Sequence, residues 1–298
     1  MRTRAALSEW YELRPYPGNE SSDDFGAILD HIPEFVFVVS VRDGRLATHM
    51  RTAARHLPLL ESLGRTEPVP SGPPALHGHT ISYRYRSARH CALPVGDAGT
   101  SPIFRIMGDS VAGSAYLMVW CRRRASHPRI SQYIRRTERG QAADGLAGLM
   151  CGVWGGGSKP GPAQTRNAKL AREKAASRHL FACHVVASAD SMDDLRAVES
   201  SFPSMSLRRH TRADARHIDL VSSGMARIPW LGGSRTPILS DTELRLFVRL
   251  PDDSDMASVP MNMGRMVSRS GGERVDGGDA TTIDIERGGG PCRQRPEG

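Results

Sequence analysis

The chain has 298 residues, of which 39% are hydrophobic and 6% aromatic, with 30 glycines and 20 prolines. This composition requires many loops and excludes a coiled coil, a collagen-like chain and a purely helical bundle. The formal net charge is +8, and all but three of the 40 basic residues are arginine. Such a charge favours an anionic partner, although a GC-rich genome, in which arginine codons replace lysine codons, produces the same bias.

Three segments of the N-terminal half have strand patterns. Residues 34–41 form a β-branched and aromatic run closed by Asp43-Gly44, which predicts a buried strand and a turn. Residues 80–86 alternate between apolar and polar types and predict a half-exposed strand. Residues 114–122 are apolar almost throughout, so we expect a central strand there.

The segments between these strands carry weaker signals. Residues 50–63 have apolar positions near helical spacing, but Pro58 interrupts them, so the pattern predicts a broken helix. Residues 67–74 predict a proline-rich loop, and residues 103–107 a further short strand. A glycine- and proline-rich stretch, 140–165, predicts a mobile loop or a linker between two lobes.

The clearest supersecondary pattern lies in residues 180–212. Residues 180–187 read as a strand, Ser191 is placed to cap a helix, and residues 192–202 have apolar positions at helical spacing. Residues 206–212 can return as a second strand. A unit of this length predicts a split βαβ arrangement of the ferredoxin-like type.

The C-terminal part contains one further helix signal. Ser240 and Glu243 have the spacing of a capping box, and Pro251 closes the apolar pattern that follows. Beyond residue 253 the chain loses pattern, which predicts a disordered tail. We therefore predict an α+β fold of two small lobes: an α+β lobe at 1–139, a linker at 140–168, a βαβ-containing lobe at 169–253 and a tail at 254–298.

No sequence motif indicates a catalytic centre, a cofactor site or a metal site. The segment Gly152–Lys159 has serine and lysine in the wrong order for a phosphate-binding loop, and Pro160 follows it directly. The cysteine count is odd, and the five cysteines are at least 30 residues apart, which argues against a disulfide framework and against a zinc finger or ribbon. Cys183 and His184 are neighbours on a strand, so they point to opposite faces and cannot form a catalytic dyad.

Two arginine-rich groups are the candidate contacts for nucleic acid or for a protein partner, since guanidinium groups match phosphate oxygens. Aromatic residues near them are few, which weakens the pattern typical of single-strand binding. The candidates are Arg122, Arg123, Arg124, Arg135, Arg136, Arg208, Arg209 and Arg212.

The order of these elements resembles the region that precedes the motor in conjugative-transfer ATPases, including the HerA-like group encoded by plasmids and viruses. The most distinctive segment is Ile238–Pro251 (ILSDTELRLFVRLP), which in that family leads into the motor domain. The resemblance also includes Tyr11–Pro15, residues 34–41, 114–122, 169–174 and 181–202.

The resemblance implies a non-catalytic accessory or truncated N-terminal portion of a DNA-transfer ATPase, because no Walker A motif is present. Its partners would be a separate or downstream ATPase motor and DNA, and we leave open whether it forms a homo-oligomer. No apolar run approaches the ~20 residues that span a bilayer, so we expect a cytoplasmic protein whose membrane association comes through a partner. The alternatives are a stand-alone arginine-rich nucleic-acid-binding protein and an enzyme that uses the loops bearing His77, His79, His90 and Cys91.

Overall fold

The computed structural model describes residues 9–16, 25–73, 76, 81–95, 103–124, 127–140, 160–202, 207–226, 236–251 and 255. The strands within them are β1 (Glu9–Pro15), β2 (Glu34–Arg42), β3 (Arg45–Thr52), β4 (Gly64–Pro68), β5 (Ile81–Ser87), β6 (Ala115–Arg124), β7 (Leu180–Ala189), β8 (Leu207–Arg212) and β9 (Ile238–Ser240). The helices are α1 (Phe25–His31), α2 (Leu57–Glu61), α3 (Ile103–Ser110), α4 (Pro128–Glu138), α5 (Pro162–Ala175), α6 (Met192–Ser200), α7 (Ala215–Ser222) and α8 (Asp241–Leu244).

All nine described strands belong to one antiparallel sheet. Its order is β4-β1-β3-β2-β6-β7-β5-β8, and β9 pairs with the first residues of β7 beside β5. Helices and an antiparallel sheet in one unit confirm the predicted α+β class.

Two split βαβ units form one half of the sheet. The predicted unit is confirmed: β7 and β8 are joined by α6, and β5 lies between them. A second unit runs from β5 through α3 to β6, with β7 between its two strands. The resulting order β6-β7-β5-β8 is the ferredoxin-like arrangement, with α4 and α5 inserted between its second and third strands.

The predicted boundary between two lobes falls inside this sheet. Strand β6 precedes the glycine- and proline-rich stretch and β7 follows it, yet the two strands pair over ten residue pairs from Ala115–Ala189 to Arg124–Leu180. Glycine and proline indicate where the chain leaves regular structure, but they carry no information on which strands meet afterwards. Residues 141–159 of the predicted linker, and the predicted tail except Asp255, lie outside the described residues.

Two local predictions are wrong. Residues 103–107 form part of helix α3, in which Ile103, Phe104 and Met107 share the buried face at helical spacing. The start of the predicted broken helix, from Met50 to Thr52, belongs instead to β3, which is held between β1 and β2. Pro58 then lies in the first turn of α2, where its missing N–H costs no hydrogen bond.

The predicted turn at Asp43-Gly44 is confirmed, and it joins β2 and β3 as a hairpin. Asp43 and Gly44 both have positive φ, 52° and 69°, as the tight turn of a two-residue hairpin requires. The turn pairs Arg42 with Arg45 and fixes the register of the whole hairpin.

The two faces of the sheet are covered differently. The first face carries Phe37, Leu117 and Val185 and packs against α1, α3 and α6 in the largest core cluster. The second face carries Val38, Trp120 and Val186 and packs against α7. In a third cluster, buried residues of α4 and α5 pack against the start of β7.

A buried ion pair fixes the C-terminal segment to this scaffold. Lys174 and Glu243 are 4% and 6% exposed, and Lys174 Nζ lies 2.9 Å from Glu243 Oε2. The ammonium also donates to the Leu93 carbonyl oxygen at 3.0 Å, and Glu243 accepts from the backbone N–H groups of Val95 and Ser240. The Ser240–Glu243 capping box is confirmed. Through Lys174 and the Val95 N–H, the Glu243 carboxylate also connects α8 to α5 and to the loop after β5.

The ion pair should matter far more than a surface pair on the same helix. We expect Lys174→Met to lower the free energy of unfolding by about 3–5 kcal/mol, because it leaves a buried carboxylate without its counter-charge. Lys169→Met is the matched control, since Lys169 is exposed and 3.9 Å from Glu173, and it should cost under about 0.5 kcal/mol. Urea unfolding measures both, and equal losses would contradict the assigned role.

Acid should destabilise the fold through His49, which lies on β3 and is 5% exposed. Burial, and then Arg14, lower the pKa of His49 to about 4 against the opposing effect of Glu12. Below about pH 6.5 the unfolded chain therefore binds a proton at His49, whereas the folded chain does not. The free energy of unfolding falls as pH drops from about 6.5 to about 4. We expect a loss of about 2 kcal/mol between pH 7 and pH 5 from this group.

The matched variants are His49→Gln and, at an exposed position, His31→Gln. Urea unfolding at pH 7 and pH 5 should show a smaller pH effect in His49→Gln and an unchanged one in His31→Gln. An unchanged pH effect in His49→Gln would assign the acid sensitivity to other groups.

Candidate nucleic-acid interface

The arginines at the end of β6 are held by the protein itself. Arg122 Nε lies 3.7 Å from Glu34 Oε2, on the second face of the sheet. Arg123, on the first face, donates from Nη1 to the Asp30 carbonyl oxygen at 2.5 Å. Arg124 follows at the end of the strand and is half-buried. Arg122 and Arg123 thus connect β6 to the elements around it.

The α4–α5 hairpin presents a basic surface. Arg135 and Arg136 are exposed on α4, while Ile130 and Tyr133 on its other side are buried against α5 and β7. Within the described residues, no carboxylate lies within ion-pair distance of either arginine. Two further arginines of these helices lack such a partner among the described residues: Arg166, which is exposed, and Arg129, which is half-buried.

Arg209 on β8 has an internal partner. Its Nε and Nη2 donate to the two Glu199 oxygens at 2.9 and 2.6 Å, and its guanidinium lies 4.6 Å from the centre of the Tyr83 ring. Tyr85 donates to the same carboxylate at 2.6 Å. Hydrogen bonding to Glu199 raises the pKa of Arg209 despite partial burial. Arg209 and Arg212 face the first side of the sheet.

Arg208 lies on the second side, next to two arginines that sequence reasoning missed. It stands directly opposite Arg86 in the β5–β8 pair, and Arg84 is two residues along β5 on the same face. Within the described residues, none of the three guanidiniums has a carboxylate within ion-pair distance. The alternation of residues 80–86 could have indicated that Arg84 and Arg86 share a face, but not that Arg208 joins them.

Arg84 and Arg86 border a recess of about 220 Å³, which we call the basic pocket. A register shift between Arg84 and Tyr85 inserts His210 into β8, where it reaches the pocket. The walls come from β5, β7, β8, α7 and the residues before β9. The polar side chains that line it are Arg84, Arg86, His184, His210, His217 and Thr236, and no carboxylate is among the described lining residues.

Aromatic stacking holds the histidines on the floor of the basic pocket. The His184 ring stacks on Trp120 with ring centres 5.2 Å apart, and the His217 ring lies 6.0 Å from that of His184. His217 is in the first turn of α7, whose cap Asp214 accepts from the His217 backbone N–H at 2.7 Å. Nε2 of His217 is buried without a hydrogen-bond partner among the described residues.

The environment keeps the imidazoles of His217 and His210 neutral near pH 7. Burial and then Arg84 lower the pKa of His217, while Asp214 opposes the shift. Burial, Arg86 and Arg84 lower the pKa of His210 in the same way. The positive charge of the basic pocket therefore comes from its arginines, and each neutral imidazole offers one N–H donor.

The histidine and cysteine loops do not meet as a second site in the described part of the chain. His90 stacks on Tyr133 with ring centres 4.3 Å apart and accepts from the Ala92 N–H at 3.1 Å. Cys183 lies 3.6 Å from Cys121, sulfur to sulfur, on the first face, whereas His184 is on the second, as predicted. His77 and His79 lie outside the described residues, and the described ones contain no cluster of three metal-ligating side chains.

No protein-family description matches the chain, and no curated protein matches it at a significant level. Among the described helices, none combines the length and apolar character needed to cross a membrane.

Arg208 and Arg209 are adjacent but should respond in opposite ways to the same substitution. Arg209→Gln should lower the free energy of unfolding by about 1–2 kcal/mol, because it removes both hydrogen bonds to Glu199. Arg208→Gln should change it by under about 0.5 kcal/mol or raise it, because the facing Arg86 carries the same charge. Chemical denaturation measures both values, and a loss at position 208 as large as at 209 would show that Arg208 is structural.

Proposed function

We propose that this chain is a non-catalytic nucleic-acid-binding component of a DNA-transfer system and that it holds DNA by its phosphate backbone. The observation that carries the proposal is the group Arg84, Arg86 and Arg208, which share one face of the sheet without a carboxylate partner among the described residues. The exposed arginines of the α4–α5 hairpin supply a second basic surface.

The energetics of the sheet favour an external anion. Arg86 and Arg208 stand directly opposite each other, an arrangement that costs a few tenths of a kcal/mol or more when both are cationic. Elsewhere on the same strands, Arg209 is matched by Glu199, so the fold does supply acidic partners where arginine serves stability. Phosphate oxygens would relieve the repulsion and use the paired donors of each guanidinium.

Support for the DNA-transfer context comes from the segment Ile238–Pro251 and the family resemblance that it carries. In this chain the segment forms β9 and α8, and Leu244, Phe247 and Val248 are buried in the main core. We therefore propose a cytoplasmic protein that acts with a separate ATPase motor. Co-purification of the full chain with a conjugative-transfer ATPase from the same genome tests this part, and the absence of a complex would contradict it.

DNA binding should be strongly salt-dependent. Anisotropy titrations of a labelled 20-base-pair duplex between 50 and 200 mM salt should give log–log slopes of about −0.9 per phosphate contacted. The triple variant Arg84→Gln, Arg86→Gln, Arg208→Gln should make the slope shallower by about 2–3 and weaken binding at least about tenfold.

The control is the triple variant Arg55→Gln, Arg105→Gln, Arg196→Gln, which changes the net charge equally. All three residues are exposed; Arg105 and Arg196 are on α3 and α6, which pack on the first face, and Arg55 is in the turn before α2. The control should stay within about threefold of the parent affinity and keep its slope, because only the net charge of the protein has changed. Equal effects of the two triples, or binding that salt does not weaken, would contradict the proposal.

A further inference from the structure

We infer that the basic pocket is a binding site for a phosphate monoester, which the end of a nucleic-acid strand or a free nucleotide can supply. The inference names a ligand for the proposed nucleic-acid-binding protein. It rests on the proposed function only where the phosphate comes from the end of a nucleic-acid strand. Three features carry it: the shape of the recess, the chemistry of its lining and the unpartnered imidazole nitrogen of His217.

The shape favours a terminal group over a continuous backbone. Helix α7 forms one wall through His217 and Leu220, and Thr236 and Pro237, before β9, form another. The floor is the β7 strand around His184, which is fixed by its stack on Trp120. A phosphodiester chain needs an open groove in which it enters and leaves, whereas a recess walled by several elements suits the end of a strand.

The lining matches a dianion. A phosphate monoester carries a charge of about −1.5 to −2 at pH 7 and three acceptor oxygens. Arg84 and Arg86 bring two positive charges, and no carboxylate of the described lining residues opposes them. Arg84 donates from Nε to Thr211 Oγ1 at 2.8 Å, which orients the guanidinium and leaves its terminal nitrogens to bind a ligand.

His217 provides the additional donor that a strand end would use. Its Nε2 is buried without a hydrogen-bond partner among the described residues, a state that costs about 1–3 kcal/mol unless a ligand or water satisfies it. Asp214, three residues before His217, accepts a hydrogen bond from the His217 backbone N–H. The apolar lining residues Leu220 and Pro237 can contact the sugar that follows the phosphate.

The experiment compares one single-stranded oligonucleotide in three forms: 5′-phosphorylated, 3′-phosphorylated and with hydroxyl groups at both ends. Titration of the full chain at fixed salt should give at least about tenfold tighter binding of one phosphorylated form, since a charge-assisted hydrogen bond adds that much. A nucleoside monophosphate and inorganic phosphate, used as competitors, should remove this advantage. If the mononucleotide binds as tightly as the phosphorylated strand, the free nucleotide is the source.

The test variant is His217→Phe, which keeps an aromatic ring but removes the donor, and the control is Arg135→Gln with Arg136→Gln outside the pocket. His217→Phe should abolish the preference for a terminal phosphate while keeping the salt-dependent binding of the hydroxyl form. The control should weaken all three forms and keep the preference. Thermal unfolding verifies that both variants fold, and His217→Ala replaces His217→Phe if the larger side chain does not fit.

The outcomes separate the two proposals. Equal affinity for phosphorylated and hydroxyl strands overturns the monoester site and leaves backbone binding intact. Binding of a nucleoside monophosphate without binding of any strand supports the monoester site and overturns the proposed function. A preference for phosphorylated strands that survives in both His217 variants overturns the assignment to this pocket.

Discussion

The pairing of β6 with β7 is the constraint on which the rest of the structure depends. It joins chain segments on either side of the long glycine- and proline-rich stretch, and both strands are buried along nearly their whole length. The pair brings Trp120 opposite His184 on the second face and Cys121 opposite Cys183 on the first. Each strand also belongs to a split βαβ unit, so this pairing joins the two units into the ferredoxin-like half of the sheet. Strand β6 then pairs with β2 on its other side and so connects that half to the β2–β3 hairpin.

The same scaffold divides the arginines by role. Those that meet a carboxylate or a carbonyl, such as Arg209 and Arg123, connect neighbouring elements. Those on the second face of β5 and β8 have no such partner among the described residues. A codon bias would add arginines without regard to their surroundings, whereas Arg84, Arg86 and Arg208 lie together on one face, and two of them line a recess with no acidic residue among its described lining. That grouping favours an anionic ligand over composition alone.

Much of the fold could be predicted from local patterns, because strand alternation and helix caps are properties of neighbouring residues. Ser191 and Ser240 cap their helices as expected, and the strands β2, β5, β6, β7 and β8 lie within a few residues of their predicted bounds. Strand order is not local, so the two-lobe division did not foresee that β6 and β7 pair. The basic pocket was missed for the same reason: Arg84, His184 and His217 are far apart in sequence and meet only through the β5–β7 pairing and the packing of α7.

Arginine footprinting would test the central claim, that DNA contacts the second face, most directly. A dicarbonyl reagent modifies accessible guanidiniums, and mass spectrometry reads the rate at each arginine with and without saturating single-stranded DNA. The account predicts that DNA slows modification of Arg84, Arg86, Arg208, Arg135 and Arg136 severalfold while Arg55, Arg105 and Arg196 react at unchanged rates. Uniform protection of all exposed arginines, or protection confined to the first-face group, would contradict it.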